Sequence, residues 1–259
     1  MQSDKMSSNE EPRLITEFYE RLGSNIDIAR ERLDAGWKVS SLLGVIPNKK
    51  FNSVLEVGCG SALVLKGISD AVCADKKISC DLALSMLHAA KMEMPEALLV
   101  RASAEHLPFR DSSIDLVILS DILEHIEDVP LLLKETRRIA KHIAFKIPLE
   151  RCLMRKWQAV REGKKLYGFG RHQSGHLYAW NRRQALSILT RAGLAPLSYR
   201  LVDPPEEIRY YGRPEKPGES SIKTRLKNWL EKNTYNKMRC MYRFLYGSTL
   251  VALVEVEKD

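Results

Sequence analysis

Ser53-Val-Leu-Glu-Val-Gly58-Cys-Gly60-Ser-Ala62 is the stretch from which the fold is read. A short apolar run broken by one carboxylate leads into two glycines, the pattern of a buried strand ending in a tight turn. A helix is expected from Ser61 to about Ile68. The alternation then continues: a weak strand at Ile78-Ser-Cys80, and a helix from Ser85 to Met92 that Pro95 terminates. Ala97–Val100 is a strand and Ile114–Leu119 a stronger one. Pro130–Ala140 is a helix with proline near its first position, and His142–Ile147 is the fifth strand. Five strands alternating with helices predict a parallel α/β sheet covered on both faces.

Outward from this block, residues 13–46 read as helical, through Leu14, Phe18, Leu22, Ile26, Ile28, Leu33, Trp37 and Leu42, closed by Pro47-Asn48. After Pro148 the pattern breaks over 150–180. Arg182–Ala192 reads as a helix with Gly193 at its end, and Leu197–Val202 and Ser248–Val256 as two more strands. Between those strands, 204–247 is basic, with a helical pattern in Ile222, Leu226, Trp229, Leu230, Met238, Met241, Tyr242 and Leu245. The expected architecture is therefore α/β: a Rossmann-like, seven-stranded mixed sheet with helices on both faces. Residues 1–48 would form an N-terminal helical cover on a domain of 49–259, with insertions 149–181 and 204–247 as lids.

The 259 residues are 44% hydrophobic and 29% charged, enough for a real core and against whole-chain disorder. Five cysteines without a CxxC pair read as reduced thiols, which points to a cytoplasmic protein. The polar start is no signal peptide, and no apolar run approaches the ~18 residues of a membrane span. The net charge of +8 is uneven. Residues 1–133 hold 14 Lys/Arg against 21 Asp/Glu, whereas 134–183 hold 14 against 3. Basicity therefore belongs to the second half, not to the protein as a whole.

Chemistry concentrates at four places. Glu56-Val-Gly58-Cys59-Gly60-Ser-Ala62 closes the first strand, where open α/β sheets bind ligands. Leu63 stands where a dinucleotide fingerprint needs a third small residue, so the turn suits a nucleoside with a polar tail. Asp81 ends the second strand; its carboxylate can clamp two ribose hydroxyls, or start the next helix as an N-cap. Third is Ser103-Ala104-Glu105-His-Leu-Pro-Phe109 with Asp111 and Asp115 behind it. Fourth is Ser120-Asp-Ile-Leu-Glu124-His125, directly after the fourth strand.

These four, in this order, resemble the class I S-adenosylmethionine-dependent methyltransferases, in particular the broad group with VLEVGCG, AExLPF and LEH motifs. The resemblance covers about 53–148. It implies S-adenosyl-L-methionine as cofactor, with Glu56, Gly58, Cys59 and Gly60 at its methionine part. It implies Asp81 at the ribose, Leu82 beside the adenine, and Ser103, Ala104 and Glu105 around the adenine ring. Ser120 and Asp121 would face the methyl group. Two positions depart from the pattern: Ala62 replaces the third glycine, and Ser103 stands where an aspartate is common.

Methyl transfer from a sulfonium needs alignment and exclusion of water more than covalent help. A general base serves only a poorly acidic acceptor. His125 is the first candidate, and reads equally as a histidine that orients Glu124 or caps the loop; His176 is the second, and reads also as a helix-entry contact. His172 and His176 are four apart, but Gly175 lies between them and no HExxH is present, so no metal site is expected. Asp203-Pro-Pro-Glu206 lies after the sixth strand and reads as a turn. The basic segment with Arg151, Arg155, Lys156, Trp157, Arg161, Lys164, Lys165, Tyr167, Phe169 and Arg171 leaves four readings open. They are an anionic acceptor, RNA, a membrane surface met by 222–245, and a solvated face. The resemblance implies a small-molecule or lipid-like acceptor, with nucleic acid less favoured. An RNA or protein methyltransferase and a non-catalytic cofactor-binding scaffold are the rivals.

Overall fold

Strands β1 (Ser53–Val57), β2 (Lys76–Asp81), β3 (Leu98–Arg101), β4 (Ile114–Ser120), β5 (Ala140–Leu149), β6 (Ser198–Val202) and β7 (Ser248–Glu255) form one sheet in the order β3-β2-β1-β4-β5-β7-β6. This is a computed structural model, which describes residues 11–161, 175–205, 235 and 238–257. The first five strands are parallel, and β7 runs antiparallel to both β5 and β6. The expected Rossmann-like, seven-stranded mixed sheet is therefore present. Helices α1 (Glu11–Ser24), α2 (Ile28–Leu43), α3 (Leu63–Ala71), α4 (Leu84–Glu93), α5 (Val129–Ile139), α6 (Leu153–Arg161), α7 (Arg182–Arg191) and α8 (Arg239–Tyr246) accompany it.

Alternation along the central strands divides the core in two. Leu55, Val57, Val117, Leu119, Ile143 and Phe145 face one side, with Leu132, Leu133 and Ile139 of α5 and Ala185 and Leu189 of α7. Val54, Leu116, Ile118, Ala144 and Leu253 face the other, with Leu42 of α2, Leu65 and Ile68 of α3, and Leu87 and Ala90 of α4. Both faces of β1 and β4 are buried, which explains why these strands read as continuous apolar runs rather than alternating ones.

Four local expectations need correction. The helical stretch 13–46 is two helices, because Asp27 caps α2 by accepting from the Arg30 N–H at 3.2 Å. The helix expected from Ser61 begins at Leu63, after Ala62 takes a left-handed conformation with φ 59°. Strand β5 runs through Pro148, which pairs with Thr249, where a strand end was expected. Beyond the Ser120–Lys146 pair no β4 residue faces β5, so the missing proline N–H has no sheet partner to lose on that side. Finally, α6 occupies part of the stretch read as irregular; its Trp157 and Val160 are exposed, so no apolar stripe announced it.

Candidate functional site at the carboxyl ends of β1, β2 and β4

The strand order reverses beside β1, with β2 on one side and β4 on the other. Loops leaving strands at such a point diverge and open a crevice for ligands. The Gly58–Ala62 turn lies there. Gly58, Gly60 and Ala62 have φ of 69°, 50° and 59°. The N–H groups of Gly58 and Cys59 both donate to the Cys80 carbonyl, at 2.8 and 3.1 Å, tying the turn to the end of β2.

Asp81 closes this connection. One carboxylate oxygen accepts from the Gly60 N–H and the other from the Ala83 N–H, each at 3.0 Å. It is therefore a bridge between two loops and not the N-cap of α4, a position held by Ala83. Burial raises its carboxyl above the usual range, against the lowering effect of these N–H donors. Leu82 beside it is 36% exposed, an apolar side chain left uncovered at the site's edge.

Two glycines of the turn differ in what their missing side chains face. A Cβ at Gly58 would lie 2.6 Å from Ile122 Cδ1, whereas one at Gly60 would meet nothing within 4 Å. The turn is closed by protein on one side and open on the other, as a bound group lying on Gly60 requires. Gly58→Ala is accordingly expected to cost about 2 kcal/mol from strain and overlap. Gly60→Ala should cost about 1 kcal/mol of backbone strain while weakening ligand binding. Thermal melts paired with cofactor titrations separate the two.

Glu56 is 2% exposed and accepts from the Leu65 N–H at 2.9 Å. Burial pushes its carboxyl up to about 8, outweighing that hydrogen bond and the nearby Lys38. Cys59 is buried in the α2/α3/α4 side of the core, so only its backbone belongs to the turn. Ser120 ends β4 with a buried hydroxyl that has no hydrogen-bond partner among the described residues, an arrangement that a bound ligand could satisfy. Ser103 and Glu105 are occupied otherwise. The Ser103 hydroxyl accepts from the Glu105 N–H at 3.2 Å, and Glu105 Oε1 accepts from the Asp128 N–H at 3.1 Å. The Glu105 carboxylate thus ties its loop to the start of α5. Ala104 is buried beside them.

Past β4, Asp121 takes φ 52° and pairs with Lys146 Nζ at 2.6 Å and Lys38 Nζ at 3.1 Å. The two ammonium groups hold its carboxyl below the usual range despite burial. Lys146 also lies over the Trp37 ring at 4.6 Å, so this network fastens α2 to the ends of β4 and β5.

His125 and His176, expected as separate candidates, are brought together, with ring centroids 4.7 Å apart. The Leu177 N–H donates to the Glu124 carbonyl at 2.7 Å, which lays segment 175–180 against the Leu123–His125 turn. His125 Nδ1 bonds the Tyr19 hydroxyl and His176 Nδ1 bonds Glu150, both at 2.7 Å. Burial and the neighbouring His176 push His125 down to about 4, so it is neutral at pH 7. The Glu124 carboxylate beside them is 1% exposed. Burial and the Asp121 charge push its carboxyl up.

Sequence reasoning missed Tyr19, Lys38, Lys146 and Glu150. Only Lys146 carried a signal, as a lysine inside the apolar run His142–Ile147. Lys164, Lys165, Tyr167, Phe169, Arg171, His172 and the pattern Ile222–Leu230 lie outside the described residues. Asp203, read as part of a turn, follows β6 and is held by Arg243 of α8 at 2.9 Å. No helix among the described residues is long and apolar enough to cross a membrane.

Residues 55–144 match the family described as a methyltransferase domain. Arginine-hydroxylase NDUFAF5 of Danio rerio is 27% identical over 216 residues, covering 77% of this chain and 64% of that protein. A demethylmenaquinone methyltransferase of Streptomyces avermitilis is 24% identical over 143 residues, covering 53% and 60%. The chain thus spans less than two thirds of the length of these two relatives. Among solved structures, a chain of the Haloferax volcanii complex between the Trm112 methyltransferase activator and its methyltransferase superposes with TM-score 0.65. It is 17% identical and covers 94% of this chain and 99% of that one, a likeness of fold. Residues 55–144 are thus similar to a methyltransferase domain, and the chain shares its fold with this solved structure.

Proposed function

We propose that the chain transfers the methyl group of S-adenosylmethionine to a small-molecule or lipid-like acceptor. The observation that carries this reading is the Asp81 bridge to Gly60 at the reversal point of the sheet, inside the segment that matches the methyltransferase family. When bound, the cofactor supplies a methyl group on a positively charged sulfur, already activated for transfer. Asp81 would hold the ribose hydroxyls, and the exposed Leu82 would cover one face of the adenine. Ser103 and Ala104 would border that ring through their backbone, because the Ser103 hydroxyl donates to the Glu105 carboxylate at 3.4 Å and accepts from the Glu105 N–H. Glu56 would face the methionine ammonium group, with the Gly58–Gly60 backbone beneath it. Ser120 would stand at the methyl end, and His125 and His176 on the acceptor side, as groups able to take a proton or orient the acceptor.

The quinone methyltransferase among the relatives supports a lipid-like acceptor, and the exposed basic residues that follow β5, Arg151 and Lys156, suit an anionic one. Incubation with methyl-labelled S-adenosylmethionine and separate small-molecule, lipid, RNA and protein fractions tests this. Label is expected in the first or second fraction. Label in RNA or protein would overturn the acceptor class, and cofactor binding without transfer to any fraction would favour a scaffold.

Glu56 adds a proton-linked prediction. Its carboxyl, raised to about 8, holds a proton at pH 7 in the free protein. An ammonium group against it favours the charged form, so cofactor binding should release about one proton at pH 7 and none above pH ~9. Calorimetry in buffers of different ionisation enthalpy reads this directly, and Glu56→Gln should remove it.

A further inference from the structure

We propose that Glu124, His125 and His176 form a binding site for a single divalent transition-metal cation of the zinc class. One ligand atom from each lies within 4.8 Å of the other two. His125 Nε2 is already 4.0 Å from Glu124 Oε1. Bond lengths of ~2.0–2.2 Å at tetrahedral angles bring ligand atoms to about 3.3 Å. The remaining closure is of order 1 Å, within the reach of rotations of a glutamate and two imidazoles.

Three further observations point to a cation. Both Glu124 carboxyl oxygens are buried with no hydrogen-bond partner among the described residues, a costly arrangement that a positive ion would compensate. Each imidazole is gripped on Nδ1, His125 by the Tyr19 hydroxyl and His176 by the Glu150 carboxylate, at 2.7 Å in both cases. Ligating histidines are held in this way: Nδ1–H donates to an oxygen, which sets the tautomer and turns the Nε2 lone pair toward the metal. The backbone brings the three together by a bond as well, since the Glu124 carbonyl accepts from the Leu177 N–H directly after His176.

Two nitrogens and one carboxylate oxygen suit zinc, cobalt or iron(II) better than magnesium, which prefers all-oxygen shells. Three protein ligands leave a position open. On the functional reading above, that position would take an acceptor oxygen, which narrows the acceptor to hydroxylated compounds. The proposal rests on that reading for this role only; cation binding is tested apart from it.

The test uses the full chain, stripped with chelator and titrated with Co²⁺, a spectroscopic stand-in for Zn²⁺. One equivalent is expected to bind, displaced by Zn²⁺ but not by Mg²⁺. The expected spectrum has visible d–d bands and no sulfur-to-cobalt charge transfer. Glu150→Gln should weaken binding ~10–100-fold, as loss of a hydrogen bond behind a ligand does. His176→Ala and Glu124→Gln should weaken it further, with the fold checked by thermal melting. Glu124→Gln keeps the shape of a buried carboxyl that burial already holds toward its neutral form, so it is expected to fold about as stably as the parent. Absence of Co²⁺ binding, a thiolate charge-transfer band, or binding indifferent to all three variants would overturn the site. S-adenosylhomocysteine titrated into the same samples keeps the two claims apart. Intact nucleoside binding without cation binding removes the metal site alone, and the converse removes the cofactor reading alone.

Discussion

Asp81→Ala is expected to weaken S-adenosylmethionine binding by at least about 100-fold. A carboxylate holding two ribose hydroxyls makes two charge-assisted hydrogen bonds, each worth ~1.5–3 kcal/mol. Loss of about 3 kcal/mol corresponds to roughly 100-fold in affinity. The same substitution unties Gly60 and Ala83, whose N–H groups donate to Asp81 at 3.0 Å. Some loss of thermal stability therefore accompanies the loss of binding. Asp81→Asn separates the two effects: the amide oxygen can still accept one backbone N–H, but the charge is gone. It should melt near the parent yet bind the cofactor about tenfold more weakly. Calorimetric titration of both variants checks this, and unchanged affinity in Asp81→Ala would remove the ribose assignment.

Lys146→Met should destabilise the fold by about 3 kcal/mol, the lower end of what loss of one partner from a buried ion pair costs. The Lys146 side chain is 3% exposed and its Nζ lies 2.6 Å from both oxygens of Asp121. Methionine fills much of the same volume and still covers Trp37, so the loss is electrostatic rather than a cavity. Lys38 remains at 3.1 Å and softens it. For a chain of this size the melting temperature should drop by about 6–12 °C. Adding Asp121→Asn should recover part of that loss, because the uncompensated carboxylate is then removed. A drop corresponding to less than ~1 kcal/mol would show that the network is not buried in the sense that matters.

Most of the sheet was legible because its strands are apolar runs punctuated by glycine and proline, as in Ser53–Gly58. The end of β5 was not legible, since Pro148 reads as a stop unless its neighbours on both sides are known. Helix α6 hid because its length carries basic residues and an exposed Trp157 instead of an apolar stripe. Within the site, local chemistry was readable: Glu56, Gly58, Gly60 and Asp81 sit beside each other in space because their strands are neighbours. Long-range partners were not. Tyr19 meets His125 across 106 residues, and nothing in α1 distinguishes that tyrosine from other helix-face aromatics. In sequence, His176 stands four residues from His172. The fold instead pairs His176 with His125 and the adjacent Glu124. Glu105, whose place in a motif suggests adenine, also lends a carboxylate oxygen to the Asp128 N–H at the start of α5, a link no local pattern announces.

The central claim is that a nucleoside cofactor lies across the Gly58–Ala62 turn with its ribose on Asp81. A crystal structure of the full chain grown with S-adenosylhomocysteine tests it most directly. The account predicts the ribose hydroxyls within hydrogen-bonding distance of Asp81, the amino-acid end beside Glu56 and Gly60, and the adenine against Leu82. Density for the nucleoside elsewhere, or none at saturating concentration with calorimetry showing no binding, would contradict it.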